Sequence, residues 1–318
     1  MDKLNHIPSY EDILNAHEVI KPAIHNTPVM TCQTINRMAG AEIYFKCENF
    51  QKVGAFKMRG ASCAVAALSK NEKRKGIGTH SSGNHAQAVA LAASLYNIRA
   101  HIVMPENASP VKRAAVQGYG AIIHTSGNRI EERESKMNEV IGQTGISFIH
   151  PYDDYNIIAG QATAAKELID RIPDLDSIIA PVGGGGLLSG TSLISHYCND
   201  KIKVYGAEPK LVDDAYRSFH SGVVETNDRI DTIADGLRTT LSNRTLEIIR
   251  RYVDEIITVK EETIVSAMRL IWERAKIVVE TSGAVPLAAI LENKNLFKNQ
   301  RVGVILSGGN VDLGRLPF

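Results

Sequence analysis

Short apolar runs of strand type alternate with helix-type stretches along most of this 318-residue chain, and that alternation limits the fold more than any other feature. Ile43-Tyr44-Phe45, Ile77-Gly78-Thr79, Ala100-His101-Ile102-Val103-Met104, Ala121-Ile122-Ile123-His124, Ile178-Ile179-Ala180, Lys203-Val204-Tyr205-Gly206-Ala207 and Val302-Gly303-Val304-Ile305-Leu306 read as strands. Arg59–Leu68, Ala88–Leu95, Pro110–Gln117, Ile130–Ile141 and the stretch through Ile194 read as helices, with Ser109 as a cap for the one that opens on Pro110. Strands and helices that alternate through short connections predict an α/β fold with parallel sheets. Residues 76–147 form a βαβ block that reads as a small domain. Residues 1–75 and 148–318 would build a larger one, with a ligand crevice between them at the C-terminal ends of strands. No linker, repeat or low-complexity tract interrupts this pattern.

Bulk properties narrow the class of function. A length of 318 residues suits one large or two moderate cores, and 44% hydrophobic with 22% charged residues is ordinary for a soluble globule. A net charge of +1 gives no electrostatic case for nucleic acid or anionic membranes. No apolar run approaches the ~20 residues that a bilayer requires. Met1-Asp2-Lys3-Leu4-Asn5-His6 does not resemble a signal peptide, and Cys32, Cys47, Cys63 and Cys198 lack metal spacing. A cytoplasmic protein with reduced thiols is expected.

Four segments carry chemistry. Gly183-Gly184-Gly185-Gly186 lies between an apolar strand and a helix, where backbone N–H groups and the helix N-terminus can converge on a phosphate. A dinucleotide site competes with this reading, but the spacing is not G-x-G-x-x-G and the loop is not in the first βαβ unit. Lys57 follows Gly54-Ala55-Phe56 just beyond a buried-looking strand; desolvation there would expose a nucleophilic amine, whereas beside Arg59 it could equally be a surface charge. Ser307-Gly308-Gly309-Asn310 closes the last strand and sets a hydroxyl at its edge. Ser81-Ser82-Gly83-Asn84-His85 lies between a strand and a helix, where its amides could receive a carboxylate. An amine suited to an imine and a cradle for one phosphate together suggest pyridoxal 5′-phosphate.

In this order the segments resemble the fold-type II pyridoxal-phosphate enzymes, specifically the serine/threonine dehydratase and serine racemase group with its threo-3-hydroxyaspartate dehydratase branch. The resemblance runs from Tyr10-Glu11-Asp12 to Asn310-Val311-Asp312 and implies two open twisted parallel-sheet domains with the cofactor between them. It implies Lys57 as the Schiff-base lysine, Phe56 beside the cofactor, Asn84 at the ring oxygen, Gly183 to Gly186 at the phosphate and Ser307 at the pyridine nitrogen. Ser81, Ser82, Gly83, Asn84 and His85 would take the substrate, and the chain would lack the regulatory domain of feedback-controlled threonine dehydratases.

Other residues take on meaning through the same resemblance. Ser82 resembles the serine that works opposite the lysine as a second acid–base group; the alternative is a helix cap. Arg133 aligns with an arginine that approaches a substrate's distal side and could fork onto a β-carboxylate; the alternative is a solvated helix face. Glu208, Asp214 and the Val212 carbonyl resemble a site for Mg²⁺, Ca²⁺ or Mn²⁺. Glu280 resembles a residue that manages protons near the ring, against an exposed loop carboxylate. The expected function is a dehydratase (ammonia-lyase) for L-serine, L-threonine or threo-3-hydroxyaspartate, with serine racemase as the alternative. A homodimer is expected, and a nucleotide effector is possible.

Overall fold

Ten strands of the computed structural model assemble into two sheets; the structure describes residues 1–108 and 110–318, so the cap expected at Ser109 lies outside it. In chain order the strands are β1 (Val29–Met30), β2 (Glu42–Cys47), β3 (Ile77–His80), β4 (Ala100–Pro105), β5 (Ile122–Ser126), β6 (Ser147–Phe148), β7 (Ser177–Pro181), β8 (Lys203–Pro209), β9 (Glu255–Val259) and β10 (Arg301–Leu306). The larger sheet has the order β1-β2-β10-β7-β8-β9 and the smaller one β5-β4-β3-β6. Every pairing is parallel except β1 with β2.

Parallel strands in the middle of a sheet are covered on both faces, and their sequences show it. All five residues of β7 and all six of β4 are buried. Side chains alternate across the large sheet: Ile178, Val204 and Ile305 join one apolar layer, while Ile179, Tyr205, Val302 and Val304 join the other. The first layer continues into the small sheet through Ile77, Ile102 and Met104. A third, smaller cluster of Val103, Met137, Val140 and Ile146 holds the helix Ile130–Thr144 on the small sheet's other face.

Two helices start earlier than their apolar patterns suggest. The helix after β2 spans Lys57–Ala66, so Lys57 occupies its first turn rather than the loop before it. Its close packing on the helix Tyr155–Arg171 depends on a missing side chain, because a Cβ on Gly160 would lie 2.7 Å from the Gly60 Cα. The helix after β3 spans Asn84–Leu95, with Gly83 at its cap position. The strands β1, β6 and β9 carry no signal strong enough to be expected. No described helix is long and apolar enough to cross a membrane.

Candidate active site

Strand ends bring the chemical segments to one crevice. Beyond β10, the Ser307 carbonyl accepts the Phe56 N–H at 3.0 Å and Gly308 bridges Ala55, which fixes the turn before Lys57. The Lys57 Nζ reaches across to donate to the Pro151 carbonyl at 2.9 Å and lies 5.1 Å from the centroid of the Phe56 ring. No carboxylate among the described residues pairs with it. Burial without a counter-charge pulls its amine down from 10.5 to about 8, and the side chain is half-buried rather than out in solvent. Burial likewise pulls the neighbouring His150 down to about 4. Its Nδ1 accepts the N–H groups of Tyr152 and Asp153, at 3.2 and 2.8 Å.

The glycine loop lies where β7 ends and the helix Gly186–Cys198 begins. Gly185 has φ +86°, and a Cβ there would meet Leu241 and Thr245 at 2.8 Å. A Cβ on Gly184 would run into the Tyr152 ring, and one on Gly183 would approach the Leu237 Cα and the Thr239 hydroxyl at 3.1 Å. The loop is therefore held from behind by Tyr152 and by the segment around 237–241. Bare N–H groups remain at a helix N-terminus, a cradle matched to a phosphate.

Asn84, Glu280 and Asn310 form a joint between the two sheets. Asn84 Nδ2 donates to Glu280 Oε1 and Asn310 Nδ2 donates to Asn84 Oδ1, both at 2.9 Å, while the Asn310 N–H donates to Glu280 Oε2 at 3.1 Å. Asn84 is thereby oriented with one amide hydrogen to spare. Glu280 is no exposed loop carboxylate: it is buried, and burial together with Asp235 pushes it up to about 7. Ser307 is buried beside this joint, with no protein partner for its hydroxyl among the described residues. A one-phosphate cofactor with an aldehyde, a ring oxygen and a ring nitrogen fits this donor set.

The Ser81–His85 loop is fixed by hydrogen bonds from the Ser81 N–H to the Val103 carbonyl and from the Gly83 N–H to Ser81 Oγ. Ser82 is not a helix cap, since Gly83 holds that position and no side chain caps the helix. His85 is buried and donates from Nε2 to the Ile149 carbonyl at 3.0 Å, leaving its Nδ1 without a partner. Arg133 is half-buried; among the described residues it is bonded to no acid and its Nε has no partner, and its charge reaches His80 at the end of β3.

The acidic turn after β8 is not solvated either. Glu208 and Asp214 are each 1% exposed, and Val212 between them is buried. Glu208 accepts the N–H groups of Ala215 and Tyr216 at 2.9 Å, whereas Asp214 Oδ2 has no partner. Burial, and for Glu208 the nearness of Asp214, pushes both carboxyls up. No three or more His, Cys, Asp or Glu side chains gather at one point among the described residues, so a cation here would need the Val212 carbonyl as well.

Sequence reasoning missed Tyr152 behind the glycine loop, the Pro151 carbonyl and the bridging amide of Asn310. It also missed a buried charge cluster behind the site. Arg59 Nε and Nη2 donate to Glu48 at 2.7 and 2.9 Å, and Nη2 and Nη1 donate to Glu167 at 2.7 and 2.9 Å. Lys46 Nζ donates to the same Glu167 at 2.6 Å. The only local signal was charge placed next to apolar runs.

Comparison with known proteins agrees with the geometry. The family described as pyridoxal-phosphate dependent enzyme matches residues 20–308. The chain is 47% identical over 313 residues to the beta-hydroxyaspartate dehydratase of Paracoccus denitrificans (strain Pd 1222), covering 98% of this chain and 99% of that one. It is 48% identical over 312 residues to the serine racemase of Dictyostelium discoideum, covering 96% of each. The solved structure of maize serine racemase superposes with a TM-score of 0.95 at 44% identity, covering 97% of this chain and 95% of that one. With a family match over most of its length and relatives of this identity, this chain belongs to the pyridoxal-phosphate-dependent enzymes of fold type II.

Proposed function

We propose that this enzyme is an ammonia-lyase that dehydrates an L-β-hydroxy amino acid to a 2-oxo acid and ammonia, and that it prefers threo-3-hydroxyaspartate to L-serine and L-threonine. The observation that carries the reading is Lys57, an amine held by a carbonyl instead of a carboxylate and therefore available as a base near neutral pH. Lys57 would anchor the cofactor, Gly183 to Gly186 would bind its phosphate, Asn84 its ring oxygen and Ser307 its ring nitrogen, with Phe56 as a wall. Bound there, pyridoxal phosphate supplies an electron sink conjugated with the substrate's Cα. The amides of Ser81 to His85 receive the α-carboxylate, and Lys57 removes the α-proton. Loss of the β-hydroxyl as water leaves an enamino acid that hydrolyses to the 2-oxo acid and ammonia.

The substrate preference rests on Arg133, a guanidinium without an acid partner near His80, suited to a second carboxylate. The Paracoccus relative's name points the same way. Residues 76–147 act as the substrate-binding domain in this reading. A second reading, serine racemase, is favoured by the Ser82 hydroxyl, which has no capping duty. We assign Glu208, Asp214 and the Val212 carbonyl to Mg²⁺, Ca²⁺ or Mn²⁺, because two buried carboxylates there have no lysine or arginine bonded to them and one oxygen has no partner at all.

The test is a panel of threo-3-hydroxyaspartate, L-serine and L-threonine assayed for 2-oxo acid and for the D-enantiomer, with wild type and Arg133→Ala. The reading predicts the highest kcat/KM for hydroxyaspartate and its selective loss in the variant. Equal losses on all three substrates would remove Arg133 from the specificity argument. Accumulation of D-serine faster than 2-oxo acid would make the enzyme a racemase.

A further inference from the structure

The segment that follows the acidic turn leads back to the glycine loop. The helix Asp214–Ser221 begins at the turn, and the chain after it returns along the same helix. Arg217 draws this return close: Nε donates to Asp213 at 2.8 Å, and Nη2 donates to the Thr226 carbonyl and to Asn227 Oδ1, at 2.9 and 2.7 Å. The Glu225 N–H donates to the buried Ser218 hydroxyl at 2.8 Å. Asn227 Nδ2 then donates to Oδ1 of Asp214, the carboxylate whose other oxygen has no partner.

From Asn227 the chain runs on as a strap with one helical turn, Asp235–Leu237. Thr232 Oγ and the Ile233 N–H donate to Glu261 at 2.8 and 2.9 Å, and the Gly236 N–H donates to Ser282 Oγ at 3.0 Å. Asp235 pairs with Lys112 of the small-sheet region at 3.0 Å. The strap ends against the glycine loop, where the Leu237 Cα, the Thr239 hydroxyl and the Gly236 carbonyl would lie 3.1, 3.1 and 3.3 Å from a Cβ on Gly183.

We infer that the strap 225–239 couples the acidic turn to the phosphate cradle, with Asn227 as the joint. This rests on the cation reading given above. A cation taking up Asp214 Oδ2 fixes that carboxylate, and through Asn227 it fixes the end of a segment that has little regular secondary structure of its own. The far end of the same segment forms the back of the glycine loop. Cation and cofactor should therefore bind cooperatively, and by linkage each must raise the other's affinity by the same factor. Asn227 is a positioning residue in this scheme. It contacts Asp214 and Arg217, and its amide takes only Oδ1 of Asp214, leaving Oδ2 to the ion.

The test measures two affinities on the full chain: pyridoxal phosphate with and without Ca²⁺, by absorbance titration, and Ca²⁺ with and without pyridoxal phosphate, by calorimetry. In the wild type both should strengthen by the same factor, roughly 5- to 100-fold. Asn227→Ala should still bind each partner alone, with the coupling factor reduced to about 1. Arg217→Ala, one bond further from the carboxylate, should lower the factor part of the way. A wild-type factor of one, or an undiminished factor in Asn227→Ala, overturns the strap. Loss of Ca²⁺ binding in folded Asn227→Ala makes Asn227 part of the ion site and also overturns its role as a joint. Failure of the wild type to bind Ca²⁺, Mg²⁺ or Mn²⁺ removes the cation site itself, a distinguishable result.

Discussion

Lys57 and Arg59 lie two residues apart in one helix turn and are treated in opposite ways. Lys57 faces the crevice with only a carbonyl for its Nζ, and burial lowers its affinity for a proton. Arg59 points away from the crevice into complete burial. Burial works against its charge too, but Glu48 and Glu167 outweigh that and hold the guanidinium above its ordinary range. Glu167 would be pushed up by burial, yet hydrogen bonds from His17 and Arg59 and the nearness of Lys46 hold it well below the carboxylate range. A half-buried amine without an acid is free for chemistry in the proposed reading, whereas a buried guanidinium with two acids is scaffold. Five elements meet on the Arg59 cluster, namely β2, the short turn Glu48–Phe50, the Lys57 helix, the helix Tyr155–Arg171 and, through His17, the helix Tyr10–Ile20.

The comparison breaks most visibly at Lys57. Lys57→Ala should lower turnover by about 10⁴-fold or more, because the anchor and the α-proton base go together, and the visible absorption of the bound cofactor should vanish. Near-UV circular dichroism should show the fold intact. Arg59→Met should do the reverse. It leaves Glu48 and Glu167 buried with fewer partners and should cost roughly 3–5 kcal/mol in urea unfolding, while the molecules that remain folded keep the cofactor band. If Arg59→Met abolished the band in fully folded protein, Arg59 would belong to the site and the contrast would fail.

Proton linkage sharpens the same contrast. The Lys57 pKa is depressed in the folded state, so its contribution to stability is full above about 10.5 and is lost as pH falls through about 8. Cofactor-free wild type should therefore gain on the order of 2 kcal/mol relative to Lys57→Ala between those values, allowing for water in the crevice. Urea unfolding of both proteins at pH 7.5 to 10.5, about the span of the shift, checks the difference. Parallel curves would mean that the amine is already solvated.

The smallest expected change in stability is at Ser82. Because Gly83 holds the cap position, Ser82→Ala should shift stability by less than about 0.5 kcal/mol. It should also abolish any interconversion of L- and D-serine while elimination from the L-substrate survives on Lys57. Equal losses for both enantiomers would refute a second acid–base face.

How much of this was legible in the sequence depended on distance along the chain. The strand at 178–180, the four glycines and the lysine after Gly-Ala-Phe are local patterns, and each reads from a few neighbouring residues. The two-residue strands β1 and β6 are too short to show a period. The Arg59 cluster was hidden because its partner Glu167 is 108 residues away and charge by default reads as surface. The same holds for the Asn84–Asn310 bond, which spans 226 residues, and for Glu280, whose burial depends on Gly308 and Asn310 coming back to meet it. Tyr152 gave no signal, since a tyrosine packed on a glycine loop looks like any other tyrosine.

The central claim is that one particular amine holds the cofactor. Borohydride reduction of the holoenzyme, followed by digestion and peptide mass spectrometry, tests it directly. The account predicts a single pyridoxyl group on the peptide containing Lys57. A modification centred on Lys46, Lys52 or Lys112, or none at all in enzyme that turns over substrate, would contradict it.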